Sequence, residues 1–228
     1  MAADAAVWPR APFDTVVAIN NAWRVRPDWD FAIYPWDFPA DRQPIAAPGQ
    51  RLVTETEFVP AQNVYGGFVY AGATMAFTTG YWALHALRPT VLAVFGCDMH
   101  YPAHGPTHFY GTGAPDPLRR DITLRSLEAK SARLMVLAAM QGCAVVNLST
   151  GPSRLLVPRA TRGAAPRALP HAYCPETAAA AVQAEARLGY LVESGRYWEV
   201  LDRFDPAELD RVDDLWLAAA AVRWRQTA

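Results

Sequence analysis

The segment Phe68–Leu87 constrains the fold most, because it contains no charged residue and is about as long as a helix that spans a bilayer. A membrane protein and an α/β domain with a large core could both hold such a segment. Small and polar residues lower its hydropathy, namely Gly72, Thr74, Thr78, Thr79, Gly80 and His85. Pro89 ends the helical pattern, and a strand-like run follows it. The segment therefore predicts a helix from about Gly72 to Leu87 that is buried in an α/β domain and does not span a membrane.

Other apolar runs predict the strands and one more helix. The runs that predict strands are Thr15–Ile19, Trp29–Tyr34, Leu52–Val59, which would be an edge strand, Val91–Phe95 and Ala144–Leu148. The last two are continuously apolar, which is typical of strands buried on both faces. Asp121–Gln141 has the apolar spacing of a helix, and Gly142 suits the position after its end. Alternating strands and helices predict an α/β fold with an open, mainly parallel, Rossmann-like sheet flanked by helices.

The character of the chain changes after Ser149. Residues 1–156 form the predicted nucleotide-binding-like α/β domain, residues 157–174 a linker, and residues 175–228 a helical tail. The tail is expected to hold two amphipathic helices, Pro175–Phe204 and Asp205–Arg225. Helices of this length need a surface for their apolar faces. That surface is either the α/β domain of the same chain or another molecule, so a homo-oligomer or a protein partner is one expectation.

Composition narrows the class of protein further. Apolar residues make up 52% of the chain and charged residues 19%, which predicts a sizeable core. A formal net charge of -1 argues against bulk electrostatic binding of nucleic acid. Cys97, Cys143 and Cys174 form no CxxC pair and are typical of a reducing compartment. Met1–Val7 does not show the basic residues followed by an apolar run that are typical of a signal peptide. We therefore expect a cytoplasmic protein.

Polar residues follow several of the predicted strands, namely Asn20-Asn21, Cys97–Tyr101 and Asn147–Thr150. In open α/β sheets, ligands bind beyond the carboxyl ends of the strands. Asparagine amides can both donate hydrogen bonds to a nucleobase or ribose and accept them. Asn20 and Asn21 are therefore candidate nucleotide contacts, although two asparagines can also simply close a turn.

The loop after the fourth predicted strand is rich in histidine. His100, His104 and His108 have a spacing that would align metal ligands on a helix. Prolines and glycines within the loop exclude a helix, so this spacing does not predict a metal site. A neutral imidazole beside a tyrosine can instead serve as a general base. Asp98 is expected to orient the loop by accepting backbone hydrogen bonds.

Asp28-Trp29-Asp30 matches the short D-x-D pattern with which metal-dependent glycosyltransferases hold a nucleotide diphosphate. If this segment is a strand, Asp28 and Asp30 share one face. The pattern is short enough to arise by chance, and no Walker loop, GxGxxG or GxSxG motif is present. We therefore expect neither a metal nor a cofactor.

Taken together, these motifs resemble the bacterial sialyltransferases. They are also similar to the related motility-accessory-factor glycosyltransferases and hydroxymethylpterin-pyrophosphokinase-like proteins. The matching segments are Val16–Ala22, Val94–Asp98, Tyr101, Thr107–Gly111, Val146–Ser149 and Ser153–Leu155. The resemblance covers roughly Asp14 to Leu156 and does not include the tail.

The resemblance implies roles for individual residues. It implies that Asn20 or Asn21 contacts the nucleotide, that Tyr101 holds the leaving phosphate, and that His108 is the catalytic base. Tyr110 and Ser149 lie in the matching motifs and are expected to contact the nucleotide. One departure is that the family opens with a glycine-rich, phosphate-binding loop, whereas Met1–Asp14 contains no glycine.

The leading hypothesis is a metal-independent transferase. It would move a sugar, which could be sialic-acid-like, from a nucleotide sugar to a hydroxyl of an acceptor glycan or small molecule. One alternative is Mg²⁺-dependent pyrophosphate transfer to a pterin-like alcohol, with Asp98 or the Asp28/Asp30 pair as metal ligands. The other is a non-catalytic scaffold that has kept the fold without the activity.

Overall fold

The computed structural model describes residues 2–100 and 120–221, which form a mixed α/β fold. The strands are β1 (Val17–Ile19), β2 (Phe31–Ile33), β3 (Arg51–Val53), β4 (Val91–Val94) and β5 (Ala144–Asn147). The α-helices are α1 (Ala2–Val7), α2 (Glu55–Asn63), α3 (Phe68–Ala71), α4 (Met75–Ala86), α5 (Leu127–Met140), α6 (Pro175–Leu188) and α7 (Pro206–Ala220). The strand pairs are parallel, as the alternation of strands and helices predicts.

The strands form two sheets and not the one open sheet that the sequence predicts. The first sheet has the order β1-β2-β3, and the second consists of β4 and β5. β1 ends at Ile19, because the next residue, Asn20, has a φ of 49° that does not continue an extended chain. β2 stops two residues before Pro35, which has no amide hydrogen to donate. Such short strands make few ladder hydrogen bonds, and within the described residues no ladder joins the two sheets.

The predicted edge strand Leu52–Val59 is wrong over most of its length. β3 ends at Val53, and α2 begins at Glu55 after an extended Thr54. Glu55 and Glu57 lie in the first turn of α2, where a negative charge interacts favourably with the helix dipole. The partial alternation of apolar residues in this segment therefore belongs to a strand end followed by a helix start.

The uncharged segment Phe68–Leu87 forms two helices, so the single helix predicted from Gly72 begins too early. Gly72 separates α3 from α4 with a φ of 86°, and the Thr74 hydroxyl caps α4 by accepting from the Phe77 amide at 3.3 Å. Tyr81 and Trp82 in α4 are almost completely buried, which confirms a core helix. In the described part of the chain, none of the helices is both long and apolar enough to cross a bilayer.

β4 and β5 differ in burial, although the sequence predicts that both are buried on both faces. Every residue of β5 is buried, whereas every residue of β4 is only partly buried. Within the described residues, β4 has β5 as its sole strand neighbour. Its other edge therefore lacks a ladder partner, which leaves the strand more accessible than its apolar sequence indicates.

The helix predicted within Asp121–Gln141 is present as α5. Its first turn is capped by Ser126, whose hydroxyl accepts from the Ala129 amide at 3.1 Å. Gly142 follows the helix with a φ of 77°, which confirms the expected glycine terminus. α5 lies at the centre of the fold, since it packs against α4, β5 and α7.

The tail packs against α5 of the same chain, which is one of the two surfaces that the sequence left open. α7 contacts both α5 and α6, and Trp216 of α7 is fully buried. The predicted helix Pro175–Phe204 is too long, because α6 ends at Leu188 and Gly189 follows it with a left-handed φ of 62°. A 3-10 helix, Tyr197–Arg203, replaces its second half.

Candidate functional site

A cluster of polar side chains lies beyond the carboxyl ends of β4 and β5. Asn147 is the last residue of β5 and pairs in register with Val94, which brings the segments after both strands together. The Asn147 side-chain amide donates to Asp98 Oδ1 at 2.8 Å, and its Oδ1 accepts from the Ser149 amide at 2.9 Å. The Ser149 hydroxyl accepts from the Gly96 amide at 3.0 Å. Parallel pairing thus joins two of the strand ends singled out by the sequence.

The connector after β5 completes this group, which we call the Asp98 cluster (Asp98, Asn147, Ser149, Ser153 and Arg159). Arg159 donates to the carbonyl oxygens of Ser149 and Gly151, and its Nη1 lies 3.5 Å from Asp98 Oδ1. The Ser153 hydroxyl lies 3.3 Å from the Asn147 amide nitrogen. The sequence placed Arg159 in a linker and gave no sign of this position, because only the fold returns the connector to the strand ends.

Asp98 has one carboxylate oxygen without a partner. Its side chain is 8% exposed, and Oδ2 is buried and accepts no hydrogen bond from any described residue. Oδ1 accepts from the Asn147 side chain, and the loop that Asp98 is expected to orient lies outside the described residues, so that expectation stays a prediction. A buried unpaired acceptor costs free energy, so this oxygen is available to an N–H or O–H of a ligand.

Cys97 precedes Asp98 and is the nucleophilic side chain nearest the cluster in sequence. Burial and the neighbouring Asp98 charge raise the pKa of its thiol to about 12. Burial likewise raises the pKa of Cys143 to about 11. Because the thiolate is the reactive form, a raised pKa makes Cys97 a poor nucleophile near neutral pH.

Alkylation tests this conclusion. At pH 8, iodoacetamide should modify Cys97 and Cys143 far more slowly than an ordinary thiol with a pKa of about 8.5. Below its pKa the thiolate fraction rises with pH, so the Cys97 rate should increase about tenfold for each unit between pH 7 and pH 10. Peptide mass spectrometry gives the rate for each cysteine, and denatured protein provides the reference rate. Fast modification of folded Cys97 at pH 8 would show that its thiolate is populated.

Asn20 and Asn21 follow β1 at the carboxyl end of the first sheet. They open the 3-10 helix Asn20–Arg24, so the turn expected after this strand is present. Asn21 is 4% exposed, and the Oδ1 atoms of both residues are buried without a hydrogen-bond partner in the described part of the chain. Closing a turn does not require two unsatisfied buried oxygens, so these atoms are candidates for contacts with a ligand.

The two groups of candidate residues stand in different sheets. Hydrogen bonds among the described residues connect Asp98 to Asn147 and Asn147 to Ser149, but none connects these three residues to Asn20 or Asn21. Ser149 is 2% exposed, and its hydroxyl oxygen already accepts a hydrogen bond from the Gly96 amide. The nucleotide contact expected of Ser149 therefore stays a prediction.

The D-x-D carboxylates are already paired with arginines. Asp28 accepts from Arg26 at 2.5 and 2.7 Å, which lowers the pKa of this carboxyl. Asp30 accepts from Arg10 and, at 2.7 Å, from the Val16 amide. Both residues precede β2, so they do not share the strand face that the sequence suggested. Two carboxylates engaged in this way are poor ligands for a divalent cation.

Three predicted site residues, Tyr101, His108 and Tyr110, lie outside the described residues, as does His104 of the histidine-rich loop. His100 is described and is exposed. Residues 2–100 and 120–221 contain no group of three or more histidine, cysteine, aspartate or glutamate side chains that could hold a metal ion. Comparisons of the chain with protein-family models, with curated proteins and with solved structures found no match.

Proposed function

We propose that this protein is a glycosyltransferase that binds a nucleotide sugar and transfers the sugar to a hydroxyl acceptor. The observation that carries the proposal is the pair of buried Oδ1 atoms, without partners among the described residues, in Asn20 and Asn21 at the carboxyl end of a parallel sheet. Parallel α/β sheets bind ligands at this edge. A nucleoside supplies N–H and O–H groups that would satisfy both oxygens.

The proposal includes a sialyltransferase-like arrangement and a donor that could carry a sialic-acid-like sugar. Tyr101 would hold the leaving phosphate, Tyr110 and Ser149 would contact the nucleotide, and His108 would take the proton from the acceptor hydroxyl. The unpaired Oδ2 of Asp98 supports a polar substrate group at the second sheet. The described cysteines are free, which supports a cytoplasmic setting.

Mg²⁺-dependent pyrophosphate transfer is supported less well by the structure. That reaction needs carboxylate ligands for the metal. Arg26 pairs with Asp28, and Arg10 pairs with Asp30. Of the carboxylates that the sequence suggested as metal ligands, this leaves Asp98. A single carboxylate oxygen is a weak basis for a metal site.

Nucleotide binding tests the proposal directly. Thermal shift with CMP, UDP, GDP and ATP, with and without Mg²⁺, should identify a nucleotide that raises the Tm without needing the metal. Calorimetry should then show roughly 30-fold weaker binding in Asn20→Gly/Asn21→Ala, from about 1 kcal/mol for each lost hydrogen bond. Glycine is chosen at position 20 because φ there is 49°.

Gln183→Ala is the matched control, since it removes an exposed amide on α6 and should leave the affinity unchanged. Unchanged melting of both variants in the absence of nucleotide would show that they fold normally. If the parent protein binds none of the nucleotides, the enzyme proposal is wrong and the scaffold alternative takes its place.

A further inference from the structure

The register of the first sheet brings the residues after its strands to one edge. Ile19 of β1 pairs with Ile33 of β2, which pairs with Val53 of β3. All three strands are parallel, so Asn20, Tyr34 and Thr54 come next at the same edge. Glu55 follows Thr54 and opens α2, and Asn21 follows Asn20 in the 3-10 helix. Residues from three segments of the sequence therefore lie at one edge of the sheet, with β2 between the strand before Asn20 and the strand before Glu55.

This edge contains unsatisfied acceptors of one kind. The Oδ1 atoms of Asn20 and Asn21 and Oε2 of Glu55 are all buried, and none has a hydrogen-bond partner among the described residues. The oxygens of an ionised glutamate can only accept hydrogen bonds. Because Glu55 cannot donate, a ligand group that binds at this edge must supply hydrogen-bond donors.

No cation of the described protein neutralises Glu55. The nearby Arg51 forms its ion pair with Glu57, at 3.1 Å, and Glu55 takes part in no salt bridge within the described ranges. Burial raises the pKa of Tyr34, and the negative charge of Glu55 raises it further. Tyr34 therefore keeps its hydroxyl proton near neutral pH, and the negative charge of Glu55 affects the groups at this edge of the sheet.

The negative charge of Glu55 also disfavours a phosphate at the start of α2. Helix N-termini that follow parallel strands often bind phosphate, and the side chain of Thr54 does not cap α2. Glu55 and Glu57 occupy the first turn of α2, however, and would repel a phosphate. A neutral, donor-rich part of the ligand fits this edge, and the phosphates must lie elsewhere.

We propose that Glu55, together with Asn20 and Asn21, forms the nucleoside subsite and that Glu55 accepts hydrogen bonds from two adjacent donors of the nucleoside. The inference rests on the proposed function and specifies which part of the nucleotide the first sheet binds. Two sources supply such a donor pair, the 2′,3′-diol of ribose and the N1–H and amino group of guanine. Carboxylates beyond parallel strands bind ribose hydroxyls in dinucleotide-binding folds, which shows that the chemistry is suitable.

The test compares Glu55→Gln with Glu57→Gln. Both changes remove one charge from the first turn of α2, but Glu57 is paired with Arg51 at the surface. Calorimetry would use the ribonucleotide that binds the parent most tightly, its 2′-deoxy and 3′-deoxy analogues, and GMP compared with IMP. We expect Glu55→Gln to weaken binding roughly 10- to 100-fold, as for a lost hydrogen bond to a charged group, and Glu57→Gln to change it less than threefold.

The analogues identify the donor pair. If the diol is bound, the parent should favour the ribonucleotide over its deoxy analogues, and Glu55→Gln should lose most of this preference. If guanine is bound, the preference for GMP over IMP should disappear instead. Equal affinities of the parent and Glu55→Gln, or equal losses in the two variants, would overturn the inference while leaving the proposed function in place. A parent protein that binds no nucleotide would overturn both.

Discussion

Removal of residues 172–228 is expected to leave a chain that is insoluble or unfolded. α7 packs along α5, and Trp216 and Ala219 of α7 are fully buried. Val69, Tyr70 and Val136 lie in the same apolar cluster and would be exposed by the truncation. Exposed contiguous apolar surface drives aggregation. The tail is therefore expected to be required for the stability of the fold.

Two buried cations would lose their partners in the same truncation. Lys130 Nζ lies 2.7 Å from Asp213 Oδ1, and Arg133 forms a pair with Glu185; both anions belong to the tail. The yield of soluble protein, with light scattering and circular dichroism, measures the outcome. Co-expression of residues 172–228 as a separate chain is the control and should restore solubility. A soluble monomer of residues 1–171 with the Tm of the full chain would show that the tail packs weakly.

Arg133→Met is expected to destabilise the protein by about 3–5 kcal/mol, because it leaves the buried Glu185 carboxylate without its cation. The guanidinium donates to both oxygens of Glu185 at 2.7 Å, to the Tyr81 hydroxyl at 2.8 Å and to the Tyr65 carbonyl. The exposed fractions of the Arg133 and Glu185 side chains are 2% and 8%, so water screens the pair little. Urea unfolding of the parent and the variant gives the difference in the free energy of unfolding.

Arg125→Met is the matched control. Arg125 also binds a carboxylate of α7 through two hydrogen bonds, at 2.7 and 2.5 Å to Asp210, but this pair is largely exposed. Its loss should cost less than about 1 kcal/mol. The double variant Arg133→Met/Glu185→Leu should recover much of the stability lost by Arg133→Met, because it removes the unpaired charge. Equal effects of Arg125→Met and Arg133→Met would contradict the role of burial.

Sequence signals that act over a few residues predicted helices and strands more reliably than they predicted contacts between distant residues. The helix after Ser126 and its glycine terminus at Gly142 follow from apolar spacing and capping residues, which act within a few residues of the chain. The predicted strand Leu52–Val59 failed because the alternation of a few residues does not distinguish a strand end from the first turn of a helix. Gly189 ends α6 because it takes a left-handed conformation, and the apolar pattern that continues beyond it obscured this end.

The sequence by itself determined the class of the fold, since buried apolar runs separated by amphipathic helices favour parallel strands with helical crossovers. It also pointed to Asn20, Asn21, Asp98 and Asn147, because polar residues directly after such strands lie at a sheet edge. Only the tertiary structure decided that the strands form two sheets and that Arg159 returns to Asp98. It likewise decided that Glu55 and the two asparagines lie at the same edge of the first sheet. Periodicity and capping depend on neighbours in the chain, whereas pairing, burial and unsatisfied acceptors depend on residues that are far apart in sequence.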